Sequence, residues 1–230
     1  MDFALSSSLQ YIIMLQLDRL VGLKGVFVIK GRSDGEETKK RIVQKAVQLF
    51  VQKGYGAVTM NEVCAAANVS KGSLYHHFPS KDELFLHVAE QDTEQWLAEW
   101  DSKKSGINGT EARLYALGEH YANDFQNPLI RAIEDYARIR SHSDEINQRL
   151  SQIYESASRA CRELLQEGMD SGFLVQGDLE KYVVIVSGLL EGICRVSEIT
   201  ALAKAPEDIM KYYREAIHLL LQGMRTRSGG

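Results

Sequence analysis

The sequence has 230 residues, of which 44% are hydrophobic and 25% charged, and its formal net charge at pH 7 is −4. This composition is ordinary for a folded globular protein, so it excludes a low-complexity chain or a disordered chain of high net charge. The acidic balance does not indicate a nucleic-acid partner, but attraction to phosphate is local and depends on the face presented. Only three prolines and many long periodic segments occur, and together they predict an all-α fold.

Residues 1–35 differ from the rest of the chain. The stretch 9–29 is apolar in patches, but Asp18, Arg19 and Lys24 interrupt it, so it does not predict a membrane span. It also lacks the basic start and the small-residue cleavage site of a secretory signal. We interpret residues 1–35 as an N-terminal extension, either disordered or added by a start codon assigned too early, with a polar linker at 31–35.

Three short helical segments follow within residues 36–82. The first is predicted over 36–53 and ends at Gly54, which is typical of a glycine C-cap. Capping residues then mark two further starts, Thr59 with Glu62 and Ser70, on either side of a tight break at 67–69. One apolar seam joins the two short helices, which predicts a helix-turn-helix. Its members are Val63, Ala66, Val69, Leu74 and Phe78.

The second of these helices, residues 71–77, is the one expected to enter a DNA major groove. It contains no Asp or Glu. From Glu36 to Glu90 the sequence has seven lysine and arginine residues and six carboxylates. On this pattern alone, an ordinary surface hairpin of two helices remains the alternative.

The residues themselves are more specific than the pattern. The segments AVQLFVQKGY, AVTMNEVCAAANV and SKGSLYHHFPSKDELF closely resemble the DNA-binding domain of the tetracycline-repressor (TetR) family, without gaps from about residue 38 to 88. Within that family the chain looks most similar to the multidrug-sensing, QacR-like members. The resemblance implies double-stranded operator DNA as a partner. The DNA-binding residues would be Thr59, Ser70, Lys71, Gly72, Ser73, Tyr75, His76, His77 and Lys81.

The roles within this set also come from the resemblance. Thr59, Tyr75, His77 and Lys81 match positions that bind phosphates, while Lys71, Gly72, Ser73 and Tyr75 match positions that face base edges. His76 stands where the family often has tyrosine, which leaves its partner open. The adjacent histidines do not have the helical spacing of metal ligands, so no metal is predicted.

Residues 83–226 are predicted to form a larger helical domain for ligand binding and dimerisation. Its helices are expected from Ser80 to Lys103, then over 110–125, 128–141, 143–171, 178–199 and 206–224. Aromatic residues recur along several of these helices, and acidic residues lie at helical spacing from them. Most such residues belong to a core, but as a set they predict an aromatic-lined pocket for a small ligand. The predicted ligand-binding residues are Asp92, Trp96, Trp100, Tyr121, Asp124, Phe125, Tyr136 and Tyr154.

Trp96 and Asp124 match pocket positions of the multidrug-sensing relatives, whereas Tyr154 stands where those relatives have an acid. A lipophilic cation, held by carboxylates and aromatic faces, and a neutral aromatic or fatty ligand therefore both remain open.

The helix over 178–199 is apolar nearly all round, so we expect both of its faces to be covered. Gly188 and Gly192 lie on one face and permit another helix to approach closely. A two-fold interface with a second copy explains this surface, as the resemblance also implies, and burial within one chain is the alternative. The predicted interface residues are Val184, Gly188, Glu191, Gly192, Tyr213, Ile217 and Leu220.

No motif of an enzyme, a cofactor or a metal site is present. The three cysteines Cys64, Cys161 and Cys194 are far apart and form no C-x-x-C pair, so we expect reduced thiols in a cytoplasmic protein. The resulting hypothesis is a dimeric repressor that releases its operator when a small inducer binds, controlling an efflux or detoxification gene. The alternatives are a ligand-independent DNA-binding regulator of the same fold, for example in cell division, and a helical ligand-binding protein or enzyme without DNA function.

Overall fold

The computed structural model describes residues 33–124, 127–139, 143–200 and 206–226. Every regular element within these residues is a helix, apart from one isolated bridge between Leu174 and Arg225, which confirms the all-α fold. The expected extension up to residue 32 and the predicted pocket residue Phe125 lie outside the described residues. In the described part of the chain the helices are α1 (Ser33–Ala57), α2 (Met60–Ala67), α3 (Lys71–His77), α4 (Lys81–Ser105), α5 (Thr110–Asp124), α6 (Pro128–Ala137), α7 (Asp144–Asp170), α8 (Leu179–Thr200) and α9 (Pro206–Met224).

Helix α1 is longer than the sequence predicts. It begins at Ser33, so the end of the expected linker is helical, and non-helical backbone at Gly54 separates its main part from a short helical stretch that ends at Ala57. Gly54 adopts φ 72 and ψ 163, which kinks the helix instead of capping it in the left-handed helical conformation. A residue with a Cβ is strained at this φ, and glycine is therefore required at the kink.

Local hydrogen bonds start both helices of the helix-turn-helix. The Thr59 hydroxyl accepts from the Glu62 N–H at 3.3 Å, and the Glu62 carboxylate accepts from the Thr59 N–H at 2.8 Å, which confirms the predicted capping box. Asn68 adopts the left-handed conformation at the tight break, with φ 52 and ψ 52. Ser70 Oγ then accepts from the Ser73 N–H at 3.1 Å and caps α3.

The described residues divide into two compact units. The first contains the described residues up to 95 together with 127–153. Its core includes the fully buried side chains Ile42, Phe50, Leu74, Leu84, Phe85 and Leu129. The predicted boundary after residue 82 stays a prediction, but α6 and the start of α7 belong to the same compact unit as the helix-turn-helix, which nothing in the sequence indicates.

The second unit contains the described parts of 96–126 and 154–230. Its core includes Trp100, Leu117, Cys161, Leu164, Leu190 and Tyr213. Helices α5 and α9 approach closely at Gly118, where an added Cβ would lie 3.1 Å from Ile217 Cγ1. Among the described helices, none is long and apolar enough to cross a membrane.

Candidate functional site

Helix α3 and its cap bring seven of the predicted DNA-binding residues together. Leu74 is fully buried and anchors the helix to the core, while Tyr75 is 48% exposed, a large fraction for an aromatic side chain. The helix has no acidic residue in its first turn and no Asp or Glu elsewhere. The exposed and half-buried residues are Ser70, Lys71, Gly72, Ser73, Tyr75, His76 and His77.

Gly72 leaves the surface of α3 bare. The nearest heavy atom to a Cβ added there would be Ser70 Oγ at 3.9 Å, so packing inside the chain does not require glycine. A bare backbone at this exposed position permits a phosphate or a base edge to approach closely. Beside it, the rings of His76 and His77 lie edge to face at 5.4 Å and offer further hydrogen-bonding groups.

Thr59 is exposed at the start of α2, but its polar groups are engaged by Glu62. The Thr59 hydroxyl donates to Glu62 Oε2 at 2.8 Å, and Lys53 Nζ lies 2.7 Å from Glu62 Oε1. The hydrogen bond from Lys53, followed by those from Thr59, lowers the pKa of Glu62 to about 2. A hydrogen bond from the Thr59 hydroxyl to a phosphate therefore requires its proton to turn away from Glu62 Oε2.

Lys81 has a structural role that the sequence did not indicate. Its ammonium group donates to the carbonyls of Tyr55 at 2.9 Å and Val58 at 3.0 Å, and it lies 4.1 Å from the centre of the Tyr55 ring. An ammonium group has three N–H donors, so two of them are used within the chain. At most one is left for the predicted phosphate contact.

The aromatic residues predicted to line a pocket fall into different places. Trp96, Trp100 and Tyr121 belong to one cluster in the second unit, where the rings of Trp96 and Tyr121 are 5.0 Å apart. Tyr136 is fully buried in the core of the first unit, and its ring lies 4.5 Å from that of Tyr55. Tyr154, in the second unit, is 46% exposed.

The centre of the tryptophan cluster is His120, which no pattern in the sequence indicates. Its ring lies 4.5 Å from that of Trp96 and 5.7 Å from that of Trp100, and its Nε2–H donates to the Trp96 carbonyl at 3.0 Å. Burial lowers the pKa of His120, so the ring is neutral near pH 7. Trp100 Nε1 is buried with no hydrogen-bond partner among the described residues.

The predicted acidic pocket residues also separate. Asp92 is buried in the first unit, and its carboxylate accepts from Asn127 Nδ2, with the shorter distance 3.2 Å. Asn127 in turn caps α6.

In the second unit, burial raises the pKa of Tyr213, and Cys194, Asp124 and Glu191 raise it further. Asp124 and Glu191 thus act on Tyr213.

Among the described residues, only one face of α8 is covered by its own chain, and a second copy that covers the other face stays a prediction. Val183, Val186 and Leu190 are buried, whereas Val184 is 63% exposed. A Cβ added to Gly188 or Gly192 meets no atom within 4 Å. The uncovered face consists of Val184, Ile185, Gly188, Leu189, Gly192, Val196 and Ile199, with Glu191 at its edge.

On α9 the structure corrects which residues can face a second chain. Tyr213 and Ile217 are each 1% exposed, because they pack into the core of their own unit, and Leu220 is half-buried against it. Tyr212 and Leu219, at 41% and 58% exposed, are the large apolar residues that point outwards. The exposed apolar residues of α9 therefore lie about one position before the predicted ones in the sequence.

Two protein-family models match the sequence. The model described as bacterial regulatory proteins, tetR family, matches residues 42–88, and the model of the QacR-like protein C-terminal region matches residues 92–226. Among curated proteins, the HTH-type transcriptional regulator QacR of Staphylococcus aureus is 25% identical over 156 residues, which are 67% of this chain and 83% of QacR.

Solved structures share the fold. The fatty acid degradation regulator FadR of Bacillus halodurans matches with a TM-score of 0.69 and 19% identity, over 83% of this chain and 97% of that one. The transcriptional regulator FadR of Bacillus subtilis, in complex with stearoyl-CoA, matches with a TM-score of 0.68 and 17% identity, over 80% of this chain and 97% of that one.

Proposed function

The chain belongs to the tetR family of bacterial regulatory proteins, and we propose that it is a repressor that binds a palindromic operator as a homodimer and is released by a small lipophilic or aromatic inducer. The observation that carries the DNA-binding role is the surface of α3. It combines an exposed lysine, an exposed tyrosine, two histidines and a bare glycine, and no carboxylate in the helix repels phosphate.

A dimer is supported by the uncovered face of α8. Its seven residues are apolar or glycine, and such a surface is unusual on a protein that stays monomeric. Gly188 and Gly192 lie within it and permit a second helix to come close. Pairing two copies through this face, with Tyr212 and Leu219 of α9 beside it, gives two copies of α3 and hence a two-fold symmetric operator.

A small-molecule inducer is supported by the cluster of Trp96, Trp100, His120 and Tyr121. Trp100 offers a buried N–H without a partner in the described part of the chain, and a buried donor of this kind favours a ligand that supplies an acceptor. The B. subtilis relative was solved with stearoyl-CoA, which supports a lipophilic ligand. Asp124 and Glu191 would favour a cation, so the release assay includes both lipophilic cations and neutral lipophilic compounds.

The mechanism that we propose uses α4. Lys81 and Trp96 lie on this one uninterrupted helix, so a ligand that displaces the helix at Trp96 also displaces its start. In a dimer, that shift changes the distance between the two copies of α3, and the operator then no longer fits both of them. We propose that the regulated gene encodes an efflux or detoxification protein and that the repressor acts in the cytoplasm, where the DNA is.

The test is fluorescence anisotropy of labelled DNA taken from upstream of the protein's own gene, at a stated salt concentration. We expect binding that survives an excess of unlabelled random DNA. Tyr75→Ala should weaken it about tenfold or more, because one well-placed aromatic or base-edge contact contributes ~1–3 kcal/mol. Tyr154→Ala, at an equally exposed tyrosine in the second unit, is the matched control and should bind as the wild type does.

The same assay tests release. A panel of lipophilic cations, neutral aromatic compounds and acyl-CoA thioesters is added to the protein–DNA complex, and a true inducer lowers the anisotropy of wild type but not of Trp96→Ala. Specific DNA binding that no compound class reverses would refute the inducer and leave a ligand-independent regulator. Failure to bind any DNA better than random sequence, both here and in a selection from a random library, would refute the repressor itself.

A further inference from the structure

The Asp82 carboxylate is shared by two tyrosines from distant parts of the sequence. The Tyr55 hydroxyl donates to Asp82 Oδ1 at 2.7 Å, and the Tyr136 hydroxyl donates to the same atom at 2.6 Å. Tyr55 lies beyond the kink of α1, Asp82 is the second residue of α4, and Tyr136 belongs to α6. One oxygen atom therefore connects three helices of the first unit.

Both hydroxyls keep their protons at physiological pH. Burial, followed by the hydrogen bond to Asp82, raises the pKa of Tyr55 and of Tyr136 above the ordinary value of 10. Each tyrosine is therefore a constant donor to the carboxylate, and hydrogen bonds to a charged acceptor are about twice as strong as those between neutral groups. Neither donor is therefore lost in the pH range where DNA binding is measured.

Lys81, the residue before Asp82, also contacts the segment that follows the kink of α1. Lys81 Nζ donates to the carbonyls of Tyr55 and Val58, at 2.9 and 3.0 Å. Tyr55 belongs to the end of α1 after its kink, and Val58 belongs to the connection between α1 and α2; we call residues 55–58 the turn that leads into α2. Thr59, the predicted phosphate-binding cap of α2, follows this turn directly. Asp82 and Lys81 together thus fix where α2 begins.

We propose that Tyr136 and Asp82 are positioning residues for DNA binding: they hold the turn 55–58, and through it Thr59, in the place that the operator requires. This inference rests on the proposed function, because it assigns residues that act on the same DNA-binding surface. Neither side chain needs to touch DNA. Tyr136 is fully buried, so its effect must pass through Asp82 and Tyr55.

The arrangement also connects α6 to the DNA-binding surface. Tyr136 is the last but one residue of α6, a helix that is more than forty residues beyond α3 in the sequence yet packs against α1. A movement of α6 that withdraws the Tyr136 hydroxyl removes the hydrogen bond that this hydroxyl donates to Asp82 Oδ1. The position of α6 thereby influences the turn 55–58, and so the affinity for DNA.

The test uses Tyr136→Phe in the full-length protein. The rings of Tyr136, Tyr55 and Phe85 are mutually packed at 4.5 to 5.0 Å, so phenylalanine keeps the packing and removes only the hydroxyl. The matched control is Tyr115→Phe, at a half-buried tyrosine of the second unit. The DNA probe is the duplex that wild type enriches most from a random library.

We expect Tyr136→Phe to bind this duplex about three- to tenfold more weakly, which corresponds to the loss of one hydrogen bond. Without DNA, amide hydrogens of residues 55–62 should exchange with deuterium faster than in wild type. Tyr115→Phe should change neither quantity. The double variant that combines Tyr55→Phe and Tyr136→Phe should bind more tightly than the product of the two single fold-losses predicts. The reason is that either change alone already loosens the turn.

A purely stabilising role for the Tyr136 hydroxyl gives a different result. Tyr136→Phe would then melt at a lower temperature, but its DNA affinity would stay within twofold of wild type and exchange over 55–62 would be unchanged, which overturns the proposal. If wild type enriches no duplex, the proposed repressor function fails, and the exchange measurement alone decides whether Tyr136 holds the turn: unchanged exchange refutes it and faster exchange supports it.

Discussion

Helices α3 and α8 each leave a face uncovered, but the two faces have opposite chemistry. The face of α3 exposes Lys71, Tyr75 and His76, all of which carry hydrogen-bonding groups. The face of α8 exposes apolar side chains, among them Val184 at 63% and Ile199 at 70%. The first is suited to phosphates and base edges, and the second to another apolar protein surface.

The difference shows how each kind of partner is encoded. A DNA-reading helix is defined by residue types at neighbouring positions, which appear directly in the sequence. The apolar residues of α8 surround the helix, so the sequence does not distinguish those that pack inside the chain from those that stay exposed in it. That distinction depends on which side of α8 the rest of its unit covers.

The largest expected effect comes from making the apolar face of α8 charged. Gly188→Arg adds a side chain where the chain itself has open space, so the subunit should fold normally. In a dimer the guanidinium would be buried in an apolar interface at a cost of several kcal/mol. We expect at least a ~100-fold weaker dimer, measured by sedimentation velocity, with DNA binding lost in parallel.

The matched control is Gly35→Arg, at an exposed glycine of α1 where an added Cβ also meets open space. It makes the same change of residue within a helix and should leave self-association unchanged. A Gly188→Arg variant that dimerises like wild type would show that another surface forms the dimer, and the assignment of the α8 face would then be abandoned.

A smaller effect is expected when the polar face of α3 loses its charge. Lys71→Ala should weaken binding to the operator about five- to twentyfold, and binding to random DNA much less, because this lysine is predicted to contact a base edge. Lys181→Ala changes the net charge equally, at an exposed lysine at the start of α8, and serves as the control. A loss of affinity that is equal for the operator and for random DNA would contradict a base-edge contact by Lys71.

The smallest effect concerns the start of α2. Thr59→Ala removes the capping hydroxyl and should lower the free energy of unfolding by about 1 kcal/mol, as measured by urea denaturation. Thr59→Ser retains the hydroxyl and should restore most of it. If serine restores stability but not DNA affinity, the Thr59 methyl group contributes to binding. Equal loss of stability in both variants would argue against the observed cap.

Part of the candidate site was accessible before the structure was known. The capping box of Thr59 and Glu62, the cap at Ser70 and the tight break at Asn68 depend on hydrogen bonds between residues at most five positions apart. Interactions at that distance are properties of the local sequence, so the helix-turn-helix could be recognised from residue types and spacing. The exposed residues of α3 follow from the same periodicity, because Leu74 must face the core.

The tertiary structure decided the rest. Asp82 accepts from Tyr136, 54 positions away, and His120 donates to Trp96, 24 positions away, so neither contact has a signature in the local pattern. The same reasoning explains α9, where Tyr212 and Tyr213 are adjacent aromatic residues and only the packing of α9 against α5 determines which one is buried. By itself, the sequence determined the elements and the DNA-reading helix, since these depend on near neighbours. Burial and shared hydrogen bonds depend on which helices meet, and that is a property of the folded chain alone.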